Sequence, residues 1–181
     1  YVMETAENEL STVFISTMGR NYSVYAKENG EVWATGYNEY GQLGNGNNIS
    51  SSSPVQVENL TNVISVSAGS AYTLFLKSDG TVWSTGKNDQ GQLGNGTTID
   101  SNVPVQVTGL TSITQISAGG SHSVCLNSDG TVYAFGNAAD GALGNGSTST
   151  DLTKATKISG ITNVKQVSAG SNFTAFLKND G

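Results

Sequence analysis

The sequence predicts an all-β chain made of β-propeller blades, each of four antiparallel strands, with about three and a half blades in 181 residues. Three observations carry this. The first is a fixed repeat. Gly30-Glu-Val-Trp-Ala-Thr-Gly36 returns as Gly80-Thr-Val-Trp-Ser-Thr-Gly86 and as Gly130-Thr-Val-Tyr-Ala-Phe-Gly136, a shift of 50 residues each time. The second is strand-like alternation four times per copy. The third is the regular placing of glycines and aromatics, which marks blades that bury each other's faces.

Within one copy, Val63–Ser67 is β-branched and alternating, and Tyr72–Lys77 follows a small-residue turn. Asp79-Gly80 is a two-residue hairpin signal of type I′, repeated as Asn29-Gly30 and Asp129-Gly130. Thr81–Thr85 is the partner strand. After a loop of about 17 residues, Pro104-Val-Gln-Val107 forms a short outer strand opened by its proline, as does Pro54; the third copy has Ala155 there. Gly41-Gln-Leu-Gly-Asn-Gly46 recurs at 91–96 and, with Ala142, at 141–146. Ser67-Ala-Gly69 recurs at 117–119 and, one residue late, at 168–170, which places an extra residue in the loop Ser147–Thr153.

The units are 11–57, 62–107, 112–158 and a truncated 163–181, with 1–10 as a remnant of a preceding repeat. The fourth unit stops at its hairpin, and the first residue is not methionine. Both suggest a piece of a longer array, whose partners include its remaining blades or a second copy. Tyr1–Leu10 lacks the basic start and apolar core of a signal peptide.

Composition removes several function classes. Net charge is −6, with 8 Lys plus Arg against 14 Asp plus Glu. No basic stripe exists to replace phosphate counterions, which argues against nucleic-acid binding. No apolar run is long enough to span a bilayer, which argues against membrane insertion. One cysteine, Cys125, excludes an intrachain disulfide. The Ser-, Thr- and Asn-rich composition leans towards a bacterial secreted or cell-surface protein.

The repeated run Ala-Gly-x-x-(aromatic or His)-(Ser/Thr)-x-x-Leu-x-x-(Asp/Asn)-Gly-x-Val-(Trp/Tyr)-x-x-Gly-x-x-x-x-Gly-Gln-Leu-Gly-x-Gly resembles the regulator of chromosome condensation repeat. Ala118–Ser123 is the nearest copy of its opening and Ala68–Gly96 of the remainder. The resemblance covers nearly all of 11–181. It implies a propeller, usually seven-bladed, of which this chain carries about half. It also implies a choice of activities: guanine nucleotide exchange on a small GTPase, chromatin docking, ultraviolet sensing, or inhibition of a secreted enzyme. Shared fold does not choose among them. A basic tail is absent, as is a tryptophan-rich loop or an insertion long enough for an exchange wedge. The alternative fold, a kelch propeller, expects a recurring Gly-Gly pair, supplied only by Gly119-Gly120.

Comparing the copies sorts candidate chemistry from folding. His122 shares its slot with Tyr22, Tyr72 and Phe173, and Cys125 with Tyr25, Phe75 and Phe176. Both are therefore packing positions rather than acid–base or nucleophilic groups. Asp79, Asp129 and Asp180 precede hairpin glycines and serve the turn. The glycine loops lack the Lys-Ser/Thr and the helix of a phosphate loop, and Leu43, Leu93 and Leu143 are their apolar pins. Trp33, Trp83 and Tyr133 occupy one strand slot and pack between blades. No metal, cofactor or catalytic set is expected.

Function then falls to positions that vary. Tyr37-Asn-Glu-Tyr40 becomes Lys87-Asn-Asp-Gln90 and Asn137-Ala-Ala-Asp140. Candidate partner-binding residues are Tyr37, Glu39, Tyr40, Lys87, Asp89, Gln90 and Asp140. The reading is a non-catalytic repeat scaffold that binds a protein through loops on one propeller face. The alternatives are a carbohydrate- or cell-wall-binding surface module, and an exchange-factor-like regulator of a small GTPase. An enzyme would need paired carboxylates, and only scattered Glu28, Glu31, Glu39 and turn aspartates are on offer.

Overall fold

A computed structural model describes residues 13–148 and 150–181, with side chains described from Gly19 onward. The proposed remnant 1–10 lies outside the described residues. Strands β1 (Val13–Met18), β2 (Tyr22–Lys27), β3 (Val32–Gly36) and β4 (Ser51–Gln56) form one antiparallel sheet in that order. Strands β5 (Val63–Ala68), β6 (Tyr72–Lys77), β7 (Val82–Gly86) and β8 (Ser101–Gln106) form the second. The third is β9 (Ile113–Ala118), β10 (His122–Asn127), β11 (Val132–Gly136) and β12 (Leu152–Lys157). Strands β13 (Val164–Ala169) and β14 (Thr174–Lys178) pair as a fourth, two-stranded sheet. These are the blades of a partial propeller, with the innermost strands β1, β5, β9 and β13 side by side.

Two local expectations need correction. The hairpin loops hold three residues, not two. Lys77 N donates to Thr81 O and Gly80 N to Lys77 O, both at 3.0 Å. Gly80 has φ +78°, while Asp79 keeps a negative φ, so the tight turn ends in a left-handed glycine instead of using two positive-φ residues. The Asp79 carboxylate accepts from Thr81 N at 3.0 Å, which is the turn role expected of it. The outer strand β8 starts at Ser101, three residues before the proline. Its register shifts between Ser84↔Val105 and Gly86↔Ser101, so Pro104 sits at an irregularity on an edge strand, where no ladder donor is needed. Pro54 does the same in β4.

Burial follows from stacking. In β6 and β10 the first five residues are all buried, because a blade lies against each face. β2 alternates buried and half-buried. The core is accordingly three slabs between successive blades. The first joins Val24 and Ala34 to Val66 and Phe75, and the half-buried Trp83 packs on it. The second joins Leu74 and Leu93 to Cys125 and Phe135, with Tyr133 packed on it. The third joins Val124 and Leu143 to Val167. Trp83 and Tyr133 thus pack between blades, and Leu43, Leu93 and Leu143 are fully buried, as expected.

A polar lock repeats at each slab. The Tyr22 hydroxyl donates to the backbone carbonyl of Tyr72, and the Tyr72 hydroxyl to that of His122. Thr73 Oγ1 lies 3.2 Å from the Tyr22 hydroxyl and donates to Gln42 O at 2.9 Å. Ser123 repeats this with Tyr72 at 3.1 Å and Gln92 O at 2.9 Å. At the third slab, His122 Nε2 and Thr174 Oγ1 are 3.1 Å apart, and Thr174 donates to Ala142 O at 2.7 Å. Because the threonine proton is used on Ala142, Nε2 carries the ring proton. Each aromatic ring lies against the glycine of the preceding turn, Gly19, Gly69 or Gly119. A Cβ at Gly69 would stand 2.1 Å from the Tyr72 ring, so only glycine fits there. Burial pushes both phenols above their ordinary range, which keeps them neutral donors.

Removing the Tyr72 hydroxyl with Tyr72→Phe should cost about 1 kcal/mol, since His122 O keeps its bond from Gly119 N. Urea unfolding would show a lower midpoint at an unchanged slope; an unchanged midpoint would remove the lock from the stability account.

Burial holds His122 below its ordinary 6.5, so it stays neutral in the folded chain at pH 7. The unfolded histidine binds its proton first as pH falls. Stability is therefore full above pH 6.5 and declines in the window beneath it. With one histidine in the chain, melting temperature should fall between about pH 6.5 and pH 5 in the native sequence. The fall should flatten in His122→Phe; an equal fall in both would assign it elsewhere.

Candidate functional site

The strand pairing puts all inner turns and long loops on one face. Tyr22 pairs with Gly36, so the β1–β2 turn at Gly19–Asn21 and the loop 37–50 leave the sheet at the same end. The same holds for Ser70-Ala71 with 87–100, and for Gly120-Ser121 with 137–151. The three-residue hairpins are on the opposite face.

Each loop is framed from within. Asn38 is fully buried; its side-chain amide donates to Asn47 O at 2.9 Å and Ile49 O at 3.2 Å, and its carbonyl accepts from Leu43 N at 2.9 Å. Asn88 repeats this, with Thr97 O and Ile99 O at 3.0 Å and Leu93 N at 2.9 Å. Blade three has Ala138 in that slot and folds the stretch Ala139–Gly141 as a 3-10 turn. Loops one and two are thus held in the same shape while their flanking side chains differ. They also rest on the next blade: Gly46 N donates to Asn102 O at 3.0 Å and Gly96 N to Thr153 O at 2.8 Å.

Between loops one and two lies a cleft of about 570 Å³. Tyr37 and Tyr40 line it from blade one, and Lys87 and Gln92 from blade two. Arg20, Asn21, Ser70, Ala71, Gly120 and Ser121 line its end towards the propeller axis. The tyrosine rings meet edge to face, with centroids 6.4 Å apart. Lys87 Nζ is 5.4 Å from the Tyr40 ring centroid and 3.0 Å from the Asp89 carboxylate. The bond to Asp89 raises the Lys87 pKa and keeps the ammonium charged. The Tyr37 hydroxyl donates to the Glu39 carboxylate.

The structure therefore brings Tyr37, Tyr40 and Lys87 together. Glu39 and Asp89 stand behind them as partners. Gln90 contributes a backbone N–H to Gln92 Oε1 at 2.9 Å. Asp140 is exposed on the 3-10 turn of loop three, at φ +58°, and does not line the cleft. Sequence reasoning missed Arg20, Asn21 and Gln92. Arg20 carried a signal: it is the chain's only arginine, in a slot that holds Ser70, Gly120 and Ser171 in the other copies. Gln92 was hidden inside the repeated glycine motif.

His122 and Cys125 are buried at their packing positions, 1% and 0% exposed, and burial pushes the Cys125 thiol far above its ordinary range. Among the described residues no group of three His, Cys, Asp or Glu could hold a metal ion. Among them, too, no helix is long and apolar enough to cross a membrane.

Comparison with known proteins agrees with the architecture. A sequence profile described as the Regulator of chromosome condensation (RCC1) repeat matches residues 29–76, 79–126 and 129–177. A second profile of the same description matches 13–42, 63–92 and 113–142. No curated protein sequence matches. Among solved structures, human WBSCR16 superposes with a TM-score of 0.83 at 26% identity, over 93% of this chain and 45% of that one. Prp20p from Saccharomyces cerevisiae, described with its binding properties to Gsp1p and histones, gives 0.80 at 21% identity over 93% and 45%. Yeast RCC1 (Prp20) with Kap60 gives 0.79 at 22% over 93% and 43%. The chain spans less than half the length of each of these proteins. With its repeats matched over most of its length, the chain belongs to the regulator of chromosome condensation repeat family.

Proposed function

We propose that the chain is a non-catalytic interaction module that binds a protein partner through the loop face, with the cleft between loops one and two as its centre. One observation carries this reading. The residues that depart from the repeat, Tyr37, Tyr40, Lys87 and Arg20, come from separate segments yet line one cleft. Folding does not explain them, because the other copies fold without them. Tyrosine and arginine are also the side chains that most often anchor protein interfaces. Framing by Asn38 and Asn88 presents the anchors pre-organised, which lowers the entropy cost of docking. Prp20p, which shares the fold, is described with Gsp1p and histones as binding partners and in complex with Kap60. This supports a protein ligand as a class without naming one for this chain.

A photo-crosslinking residue at position 37 should capture protein in a host extract, while one at Asp129 on the hairpin face should not. Binding of the captured partner should weaken about tenfold or more in the Tyr37→Ala, Tyr40→Ala double variant at an unchanged melting temperature. Equal capture at both positions, or unchanged affinity in the double variant, would refute the reading. A glycan array on the same proteins decides against the carbohydrate alternative if no signal depends on the two tyrosines.

A further inference from the structure

We propose that the axial end of the cleft is a carboxylate-binding subsite, anchored by Arg20 and seconded by Lys87, which takes acidic side chains of the protein partner. This rests on the protein-binding reading above and specifies the partner's chemistry.

The charge arithmetic is local. Across the chain, acids outnumber bases by 14 to 8. Along the cleft the balance inverts: Arg20 and Lys87 line it and no Asp or Glu does. Glu39 and Asp89 stand outside the lining, engaged with the Tyr37 hydroxyl and with Lys87 and Gln92. With Asp89 paired to Lys87, the Arg20 guanidinium is the charge left to receive an acidic segment at this end of the cleft.

Arg20 is the decisive residue. It is exposed and makes no ion pair among the described residues. It lines both the cleft and the shallow depression of about 290 Å³ over the axis, whose other lining residues are Gly, Ala and Ser. The small residues leave the guanidinium room and carry no acidic group to neutralise it. Its planar fork matches a carboxylate with two parallel hydrogen bonds. Lys87 is partly neutralised by Asp89, so it adds attraction while Arg20 sets the geometry. The fold does not require either charge, since Ser70, Gly120 and Ser171 hold the Arg20 slot and Tyr37 and Asn137 the Lys87 slot.

The test uses the full chain, ¹⁵N-labelled, titrated at low salt with N-acetyl-tetraglutamate amide, with tetraglutamine amide as the uncharged control and inorganic phosphate as a competing oxyanion. Tetraglutamate should produce saturable shifts centred on the Arg20 side chain and the Asn21, Ser70 and Ser121 amides, and tetraglutamine none. Arg20→Gln should weaken binding about tenfold, and Lys87→Gln less, about threefold. Both variants change exposed or half-exposed side chains and should keep the native amide spectrum. No saturable shift, shifts that survive Arg20→Gln, or tighter binding of phosphate than of tetraglutamate would each overturn the proposal. If tetraglutamate fails while Tyr37→Ala, Tyr40→Ala still abolishes partner capture, only the acidic chemistry falls. If tetraglutamate binds but the tyrosine pair is irrelevant to the partner, the protein-binding reading falls and the subsite stands.

Discussion

The structure depends on one polar contact made again at every blade boundary. At the first two boundaries a tyrosine of one blade reaches under the next and donates to its backbone, beside a hydroxyl that the next blade supplies; at the third, His122 Nε2 meets that hydroxyl, Thr174 Oγ1, at 3.1 Å. Flat sheets packed face to face by apolar contacts could slide. A buried donor cannot, because leaving it unmatched costs more than the bond itself contributes. Tyr22, Tyr72 and His122 therefore set the register of blade on blade. The requirement spreads outward from there: glycine at 69 and 119 to let the ring pass, a hydroxyl at 73, 123 and 174, and a loop carbonyl at 42, 92 and 142 to receive it.

That last partner connects folding to the candidate site. The carbonyls of Gln42 and Gln92 belong to the loops that carry Tyr37, Tyr40 and Lys87. The lock that aligns the blades thus also fixes the loops, and Asn38 and Asn88 close each loop on itself. The frame of the cleft is held by the same hydrogen bonds that align the blades. Its chemistry is free to vary because the lock uses main-chain atoms of the loop at those positions and leaves the flanking side chains uncommitted.

The repeat made much of this legible in advance. Slot comparison removed His122 and Cys125 from consideration as chemistry, and both are buried where aromatic residues stand in the other copies. It also singled out Tyr37, Tyr40 and Lys87. The same method passes over a residue that serves the repeat and also lines the cleft: Gln92 belongs to the repeated glycine motif. Arg20 stands in the short β1–β2 turn, in a slot that holds Ser70, Gly120 and Ser171 in the other copies. The hairpin was misread because Asp-Gly suits both a two-residue and a three-residue loop. The hydrogen bonds of Gly80 N to Lys77 O and of Lys77 N to Thr81 O define the longer one.

Residue order alone establishes the period, the order of strands within a unit and the family. These are consequences of local pattern, and the pattern is written several times over. Burial of a slot depends on whether a blade follows: Phe173 is 64% exposed where Tyr72 and His122 are buried. Packing in three dimensions decides what lies beside what. Arg20, Tyr37 and Lys87 are neighbours only because the β1–β2 turn and the β3–β4 loop leave the sheet at one end and the next blade is rotated alongside. No periodicity along the chain encodes that meeting, since it arises between copies of the repeat and not within one.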